Sequence, residues 1–447
     1  MLKTVGWESL AMATIFIGMT LCCCSLPREK FDFLLIFYTL NFGIYAYVLR
    51  FERAQAINFW LGVGIISRVL TLPTLPNLSD DYFRFLWDGE LLIQGINPYA
   101  YIPSQIGEIT DLNKQFFQAT YPHLNSPNYF SVYPPVCQYF FAFAQKLEHT
   151  NLIASSIILK VIILIFELGT LKLIQKLLNM MNLSKKSILI YALNPLIIIE
   201  ICNNLHFEGV MLFFLLAAFV FILYNNWLLA AMMLSLSVHV KLVTLLFLPL
   251  LLLIVQLVPK KAHILIVFTF VSIILWLPFL DELLLKNFTQ SLNLYIQHFE
   301  FNASIYYLLR WLGYIWQGYN MIAIIGMVLL LLKLIIITFI IFYLPTGTLI
   351  RQIGKLFLLL LFYYLLSTVV HPWYLVLLIG ISCFLQTRIA LLWSFVAFFS
   401  YSAYTIIPTK EQPVWLIAEY FILFFYMVWE WKQHRWDWEN IGPSIPE

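Results

Sequence analysis

Long apolar segments recur along the whole chain, and they restrict what it can fold into more than any other feature. A helix needs about 20 apolar residues to cross the hydrocarbon core of a bilayer. Runs near or just below that length lie at residues 8–26, 31–49, 55–72, 151–180, 187–202, 208–224, 226–240, 242–258, 262–280, 320–344, 353–370, 373–387, 389–407 and 413–431. Only 11% of the 447 residues are charged, which is too few to cover a soluble surface. The sequence therefore predicts an all-α, polytopic transmembrane helical bundle with about 11 to 14 membrane helices.

Two long polar segments, 73–150 and 281–319, interrupt this pattern, and the basic residues orient them. Cytoplasmic loops of membrane proteins carry an excess of Lys and Arg. If the N-terminus is cytoplasmic, the basic turns that fall inside carry Arg50, Arg53, Lys185, Lys186, Lys260, Lys261, Arg351, Lys355, Arg388, Lys432 and Arg435. The two polar segments then share the extracytoplasmic side, where we expect amphipathic helices lying on the membrane. Arg28 and Lys30 are exceptions, since they also fall on that side.

Charge balance and cysteine spacing narrow the function further. The net charge of +3 gives no basic field that would indicate a nucleic-acid partner. The six cysteines show no metal-ligand spacing, so no metal site is predicted from them. We expect two modules: an N-terminal catalytic module at 1–280 that includes outer loop 73–150, and a C-terminal module at 281–447 with outer loop 281–319.

The most informative polar stretch follows the third apolar run and contains two adjacent aspartates, Asp80 and Asp81. Ser79 is a good N-cap, so a helix is predicted to begin there, with Asp81, Arg84 and Asp88 on one face and Asp80 four residues from Arg84. Acids in a first turn can simply complement the helix dipole, with Arg84 as their partner. Two adjacent carboxylates also repel each other, so one is expected to have a raised pKa, which suits a general base. The residues alone predict an acidic extracytoplasmic site.

Four motifs, in order along the chain, resemble the GT-C glycosyltransferases. They are the acidic pair with Trp87-Asp88-Gly89 and Gly95-Ile96-Asn97-Pro98-Tyr99; Asn194-Pro195-Leu196 through Glu200 with Asn203-Asn204-Leu205-His206-Phe207-Glu208-Gly209; the segment Lys241 to Pro249; and His371-Pro372-Trp373-Tyr374. The chain is most similar to bacterial polyprenyl-phosphate-mannose-dependent mannosyltransferases, and more distantly to the GPI mannosyltransferase that adds the first mannose.

This resemblance implies a concrete reaction. Such enzymes, in the bacterial inner or plasma membrane, pass a sugar from a polyprenyl-phosphate donor to a glycan or glycolipid acceptor on the extracytoplasmic face. An aspartate of the first outer loop deprotonates the acceptor hydroxyl, which attacks the anomeric carbon with inversion. By matching, the base is Asp81 or Asp80: Asp81 shares a face with Arg84 and Asp88, whereas the spacing to Asp88 favours Asp80. Tyr82 stands where an Asp-x-Asp motif would have its second acid. A donor with one phosphate does not demand a metal, and no cofactor is expected.

Cations or hydrogen-bond donors are expected around the leaving phosphate, and polar or aromatic side chains around the sugar. The predicted substrate- or donor-binding residues are Arg84, Asp88, His206, Glu208, Lys241, Arg310, His371, Trp373 and Tyr374. Lys241 lies between two apolar runs, where a charged side chain faces a cavity or snorkels to the interface. We expect Asp81, His206 and His371 to line one outer cavity.

Two other classes of membrane protein compete with this interpretation. A secondary transporter or a flippase for lipid-linked sugars typically has internal repeats and ionisable residues near the midplane. No internal repeat is visible, and the polar residues gather in two outer loops instead. An O-antigen polymerase or ligase also has many spans and large outer loops, but an acidic pair in the first loop is not typical of it.

Overall fold

Regular secondary structure in the described part of the chain is helical. The computed structural model describes residues 6–109, 114–255, 258–345 and 347–433. Its α-helices are α1 Trp7–Ser25, α2 Phe31–Phe51, α3 Ile57–Leu70, α4 Asp81–Ile93, α5 Pro103–Ile109, α6 Lys114–Thr120, α7 Pro135–Leu147, α8 Leu152–Met180, α9 Leu189–Ala192, α10 Pro195–Ile197, α11 Glu208–Leu223, α12 Trp227–Val238, α13 Phe247–Ile254, α14 Val258–Trp276, α15 Leu284–Gln297, α16 Ile305–Gln317, α17 Ile322–Tyr343, α18 Leu349–Leu365, α19 Val376–Ser382, α20 Ile389–Val396 and α21 Pro413–Lys432. Short 3-10 helices are Ala54–Ala56, Tyr121–His123, Lys185–Ile188, Leu242–Leu246, Leu277–Phe279, Pro372–Leu375 and Ala397–Thr405, and Ile198–Asn203 is a π-helix. The predicted all-α class is confirmed.

The apolar helices differ in length more than the sequence indicates. Among the described residues, six are long and apolar enough to cross a membrane alone, or seven if the bent pair Lys185–Ala192 and Pro195–Asn203 forms one span. Six further apolar helices are shorter: Ile57–Leu70, Glu208–Leu223, Trp227–Val238, Leu242–Ile254, Pro372–Ser382 and Ile389–Thr405. The apolar runs from which about 11 to 14 membrane helices are predicted therefore include helices too short to cross a membrane alone. Short or broken helices are tolerated at membrane depth where protein surrounds them and satisfies their free backbone groups.

Contacts between turns show which loops share one end of the bundle. Arg28, between α1 and α2, contacts Asp80 in the first long loop. Asn97 of that loop donates to Asp281 at the start of the second long loop, with an N–O distance of 2.6 Å. At the opposite end, Lys186 Nζ donates to the Glu52 carbonyl at 2.7 Å. The two long loops thus lie together, as predicted, and so does the Arg28 turn. Of the basic residues used to orient the chain, Arg435 lies outside the described residues.

One apolar core joins most of the helices. It contains Phe16 and Tyr38 near the N-terminus, Leu216 in the middle and Leu423 in α21. The Tyr38 hydroxyl donates to the Ser394 carbonyl at 2.6 Å, which ties the first helices to one of the last. Residues of both predicted modules therefore pack in the same core, and a boundary near residue 280 stays a prediction.

The two outer loops contain helices of their own. In the first loop, α4 and α7 pack side by side, with Phe85 stacked on Phe141 at 4.7 Å between ring centroids. In the second loop, α16 keeps Tyr306 buried and exposes apolar side chains on its other face, among them Trp311, Ile315 and Trp316. Apolar and aromatic side chains on one exposed face are typical of a helix that lies in the membrane interface.

Candidate active site

A broken helix delivers several polar residues to the end of the bundle that carries the two long loops. Asn194 begins the second half: its side-chain oxygen accepts from the amides of Leu196 (3.0 Å) and Ile197 (3.4 Å). The two halves meet at an angle of 48°. Asn-Pro explains the break, because proline has no N–H and disfavours helix at the residue before it. The chain continues as a π-helix and leaves through Leu205, whose φ is 64°.

Arg68 of α3 holds this break in place from within the core. Its Nη1 donates to the Ala192 carbonyl at 2.6 Å, and its Nε pairs with Glu167 at 3.0 Å. The side chains of Arg68 and Glu167 are both completely buried. The Tyr191 hydroxyl donates to the same carboxylate at 2.6 Å. A buried ion pair thus satisfies a carbonyl that the helix break has freed.

Asp80 is an ion-pair partner of Arg28. The distance between Arg28 Nη2 and Asp80 Oδ2 is 2.6 Å, with side-chain exposures of 24% and 40%. The guanidinium of Arg28 also lies over the Tyr404 ring at 4.5 Å. The expected neighbour of Asp80 was Arg84, one turn away; the structure contradicts this, because Asp80 is the N-cap of α4 and points to the α1–α2 turn. One of the two adjacent carboxylates is therefore neutralised by an arginine from outside the loop.

Asp81 instead faces a histidine. Its Oδ2 lies 4.0 Å from His206 Nε2, and its Oδ1 accepts from Asn125 Nδ2 at 2.7 Å. Its side chain is 23% exposed, whereas that of His206 is 3% exposed. His206 Nε2 is buried and has no hydrogen-bond partner in the described part of the chain, and Nδ1 lies 3.2 Å from the Glu200 carboxylate and 3.0 Å from the Glu200 carbonyl. The Asp81 carboxylate can therefore meet a ligand while His206 stands behind it.

Glu200 anchors that histidine. It is fully buried, accepts from the Tyr401 hydroxyl with one oxygen, and lies 3.3 Å from Asn204 Nδ2 with the other. A buried carboxylate on Nδ1 fixes the orientation of the ring. The row Asp81, His206, Glu200 and Tyr401 thus runs from a partly exposed carboxylate into the core.

Aromatic rings extend the site from His206 to the second outer loop. Trp373 stacks on His206 at 3.8 Å and on His371 at 4.3 Å, and Phe301 stacks on His371 at 4.8 Å. Backbone hydrogen bonds fix the last contact, since Phe301 N–H donates to Thr368 O at 3.0 Å and Phe301 O accepts from Val370 N–H at 2.9 Å. Two motifs more than 160 residues apart, at His206 and His371, therefore meet around one tryptophan.

His371 enters this stack as a neutral ring. Burial, with the positive charges of Lys241 and His206, lowers the pKa of His371 to about 3. Its Nδ1 is buried and has no hydrogen-bond partner among the described residues. At neutral pH the imidazole offers one donor and one acceptor but no charge.

Glu208 and Lys241 form an ion pair beside the stack. Lys241 Nζ contacts the Glu208 carboxylate and lies 4.2 Å from the centroid of the Tyr374 ring. Glu208 is buried at the start of α11, while the Lys241 side chain is 38% exposed. Tyr374 in turn packs edge-on against His371 at 5.4 Å. These residues place a partly open cation next to the aromatic stack.

Arg84 and Asp88 lie beneath the opening and hold the loop together. Arg84 Nε pairs with Asp88 Oδ1 at 2.7 Å, and Arg84 Nη1 donates to Tyr129 O at 2.9 Å. Asp88 Oδ2 accepts from Ser131 Oγ at 2.5 Å and Gln138 Nε2 at 3.1 Å. Because both side chains are buried and these partners belong to loop 73–150, the pair fastens the far end of that loop to α4. A direct role in ligand binding stays a prediction.

Arg310 lies in a separate cluster on the second outer loop. Its Nη1 pairs with Glu300 at 2.5 Å, and its guanidinium lies 4.2 Å from the Tyr307 ring. Glu411, whose pKa is raised by burial, accepts from Tyr307 and from the Asn302 amide. This cluster supports Phe301 and so reaches the aromatic stack indirectly, but none of these contacts joins Arg310 to Asp81.

A buried polar platform supports the acidic pair from below. Lys160 Nζ donates to the carbonyls of Thr71 (2.9 Å) and Thr74 (2.5 Å) and to Asn203 Oδ1 (3.1 Å). Asn203 donates to Asn77 Oδ1 at 2.7 Å, which joins the platform to the residues just before Asp80. The platform therefore fixes the start of the first loop against the broken helix.

Three residues of the site escaped the sequence-based prediction of site residues: Arg28, Lys160 and Glu200. Each had a visible signal. Arg28 is one of the basic residues on the wrong side for the positive-inside rule, while Lys160 and Glu200 are charges inside apolar runs. Asp81 lies beside His206, and Trp373 stacks on both His206 and His371, but that Asp81, His206 and His371 line one outer cavity stays a prediction. Within the described ranges, no group of three or more His, Cys, Asp or Glu side chains is arranged to hold a metal ion.

Comparison with known families agrees with the motifs. Residues 60–257, less than half of the chain, match the family described as alpha-(1->6)-mannopyranosyltransferase, N-terminal domain. The matched region contains Asp80, Asp81, His206 and Lys241, but not His371. Searches of curated proteins and of solved structures gave no match. The resemblance to membrane mannosyltransferases is thus confirmed for these residues, and the domain supports a glycosyltransferase activity for this integral, multi-pass membrane protein.

Proposed function

We propose that this chain, whose residues 60–257 match an alpha-(1->6)-mannopyranosyltransferase N-terminal domain, transfers mannose from a polyprenyl-phosphate donor to a hydroxyl of a glycan or glycolipid acceptor. The reaction takes place at the end of the bundle that carries the two long loops, which we assign to the extracytoplasmic side of a bacterial inner or plasma membrane. The observation that carries the proposal is the position of Asp81, a partly exposed carboxylate that faces His206, which in turn stacks on Trp373 beside His371.

Asp81 rather than Asp80 is the proposed base. A general base needs a free acceptor oxygen within reach of the proton that it removes. The carboxylate of Asp80 forms an ion pair with Arg28, whereas that of Asp81 has no arginine or lysine partner among the described residues. His206, held by Glu200 and directed at Asp81, keeps the carboxylate oriented.

The proposed step is a single displacement. The acceptor O–H gives its proton to the Asp81 carboxylate, and the oxygen forms a bond to C1 of mannose while the bond from C1 to the phosphate oxygen breaks. The electron pair leaves with the polyprenyl phosphate, whose charge the Lys241 ammonium stabilises. If the product is an α-(1→6) linkage, as in the matched family's description, inversion requires a β-linked donor.

Paired substitutions test the assignment of the base. Purified protein is supplied with radiolabelled polyprenyl-phosphate mannose and an acceptor panel, and both transfer and simple flipping of the lipid are measured. Asp81→Asn should lower kcat by about 10²–10⁴-fold, the usual contribution of general base catalysis. Asp80→Asn is the matched control, since a partly exposed ion pair contributes only about 0–1 kcal/mol. Full activity in a folded Asp81→Asn variant would remove this base, and flipping without transfer would favour a transporter.

A further inference from the structure

Lys333 is the only charged residue of α17, the most apolar of the six long helices, which has a mean hydropathy of 3.0. It lies eleven residues after the first residue of this helix, or about 16 Å along its axis at 1.5 Å per residue. Its neighbours Leu331, Leu334 and Ile335 are exposed on the outside of the bundle. A cation at such a depth is costly, and in membrane proteins it generally marks a functional site.

The protein only partly compensates this charge. Lys333 Nζ donates to Ser367 Oγ at 3.0 Å and lies 4.6 Å from the centroid of the Tyr363 ring. No carboxylate among the described residues pairs with it. An ammonium group has three N–H donors, so two of them have no acceptor within the described ranges. The ammonium group therefore keeps hydrogen-bond donors for an anion.

A row of three tyrosines leads from Lys333 to the candidate active site. Tyr363 packs against Tyr364 with ring centroids 5.6 Å apart, and Tyr364 packs against Tyr374 at 6.1 Å. Lys333 lies over the first ring of this tyrosine row and Lys241 over the last. None of the three hydroxyls makes a hydrogen bond to the described protein, and phenol O–H groups are donors to phosphate oxygens. The Lys241 charge also acts on Tyr363, so both ends of the row lie in one electrostatic environment.

We propose that Lys333 and the tyrosine row bind the phosphate group of a lipid, namely that of the polyprenyl-phosphate sugar. The proposal rests on the proposed function and adds a second module to its site, outside the region that matches the family. Lys333 is the first contact of the phosphate, and Lys241, which is paired with Glu208, meets it only in the transfer step. The apolar chain of the ligand then follows the exposed face of α17, and the phosphate passes along the tyrosine row to Lys241, where the transfer takes place.

A binding experiment tests this site without requiring catalysis. The full-length protein in lipid nanodiscs is titrated separately with radiolabelled polyprenyl phosphate, neutral polyprenol and phosphatidylglycerol. Lys333→Met should weaken binding of polyprenyl phosphate by at least about tenfold, as expected for a lost hydrogen bond to a charged group, and leave polyprenol binding unchanged. Lys333→Arg should retain most of the affinity. Lys176→Met is the matched control, because Lys176 also lies over a tyrosine ring, Tyr224 at 4.8 Å, but at the opposite end of the bundle.

The outcomes separate the two possible lipid phosphates and the two proposals. Loss of phosphatidylglycerol binding alone would overturn the assignment to the donor, and unchanged affinity for all three ligands in Lys333→Met would overturn the site. Should that variant fail to fold, Tyr364→Phe removes one hydroxyl group and should still weaken polyprenyl phosphate binding severalfold; no change there would also overturn the site. Wild-type protein that binds polyprenyl phosphate but transfers no sugar would refute the proposed function and leave the site standing.

Discussion

Replacement of Arg68 by methionine should destabilise the protein more than any surface substitution. Arg68 and Glu167 form an ion pair at 3.0 Å in which both side chains are completely buried. Removal of one partner from a buried pair leaves an uncompensated charge and costs about 3–5 kcal/mol. The Ala192 carbonyl also loses its donor, because the Leu196 amide that would serve it in a continuous helix is bonded to Asn194. An unsatisfied buried acceptor adds about 1–3 kcal/mol, so Arg68→Met should cost about 4–8 kcal/mol.

The double variant Arg68→Met with Glu167→Gln separates the two contributions. Both charges are then removed, while the glutamine oxygen still accepts from the Tyr191 hydroxyl that now bonds Glu167. The ion-pair contribution should be recovered, which leaves a loss of about 1–3 kcal/mol from the Ala192 carbonyl. Unfolding is followed by titration with SDS in mixed micelles, with Glu167→Gln alone as the control. A double variant no more stable than Arg68→Met would refute the reasoning, as would a single variant within about 1 kcal/mol of wild type.

Three further substitutions address the site. Glu200→Gln keeps the hydrogen bonds to His206 and removes the charge of the carboxylate. The kcat should therefore fall by about 10- to 100-fold with little change in donor KM, as for other residues that orient a catalytic group. An unchanged kcat would remove Glu200 from the mechanism. Lys160→Met should lower both thermal stability and kcat, because three acceptors, including Asn203, lose their donor; a thermal midpoint equal to that of wild type would contradict this. His371 has a pKa of about 3 in the folded protein and about 6.5 when unfolded, so unfolded chains bind more protons and stability should fall as the pH drops from 7 toward 4. His371→Asn should flatten that dependence of the thermal midpoint on pH, and an equal slope in both proteins would show that another group causes it.

Much of the fold follows from local sequence. The period and length of apolar runs predict helices, and Asn194-Pro195 predicts a break, because these depend on the backbone chemistry of a few adjacent residues. The helix after Ser79 was also predictable, although it begins one residue later than a Ser79 cap implies: Asp80 is the N-cap, and Ser79 Oγ accepts the Asp81 amide at 3.3 Å. Helices such as Pro372–Ser382 are shorter than a membrane crossing, which apolar length alone does not reveal, since their termini are satisfied by protein around them.

The candidate site, like the fold, was predictable from the sequence only in part. Sequence indicated Asp80, Asp81, His206 and His371 as polar residues in unusual surroundings, but left the choice between the two aspartates open. Arg28, from a turn more than 50 residues away, makes the two aspartates different, because it forms an ion pair with Asp80 and not with Asp81. No local pattern reports a partner at that separation, because an ion pair depends on how helices pack and not on which residues adjoin.

The sequence by itself determined that this protein lies in a lipid bilayer, that it is helical, and at which end of the bundle the candidate functional residues collect. Each of these follows from the distribution of apolar and charged residues along the chain. What only the tertiary structure decided is which of those residues act on one another: His206 with Asp81, Trp373 with both histidines, and Lys333 at the end of a row of tyrosines. The physical reason is range. Burial and helix formation are set within a few turns, whereas hydrogen bonds, ring stacking and ion pairs act over a few ångströms in space, between segments that meet only after the bundle has packed.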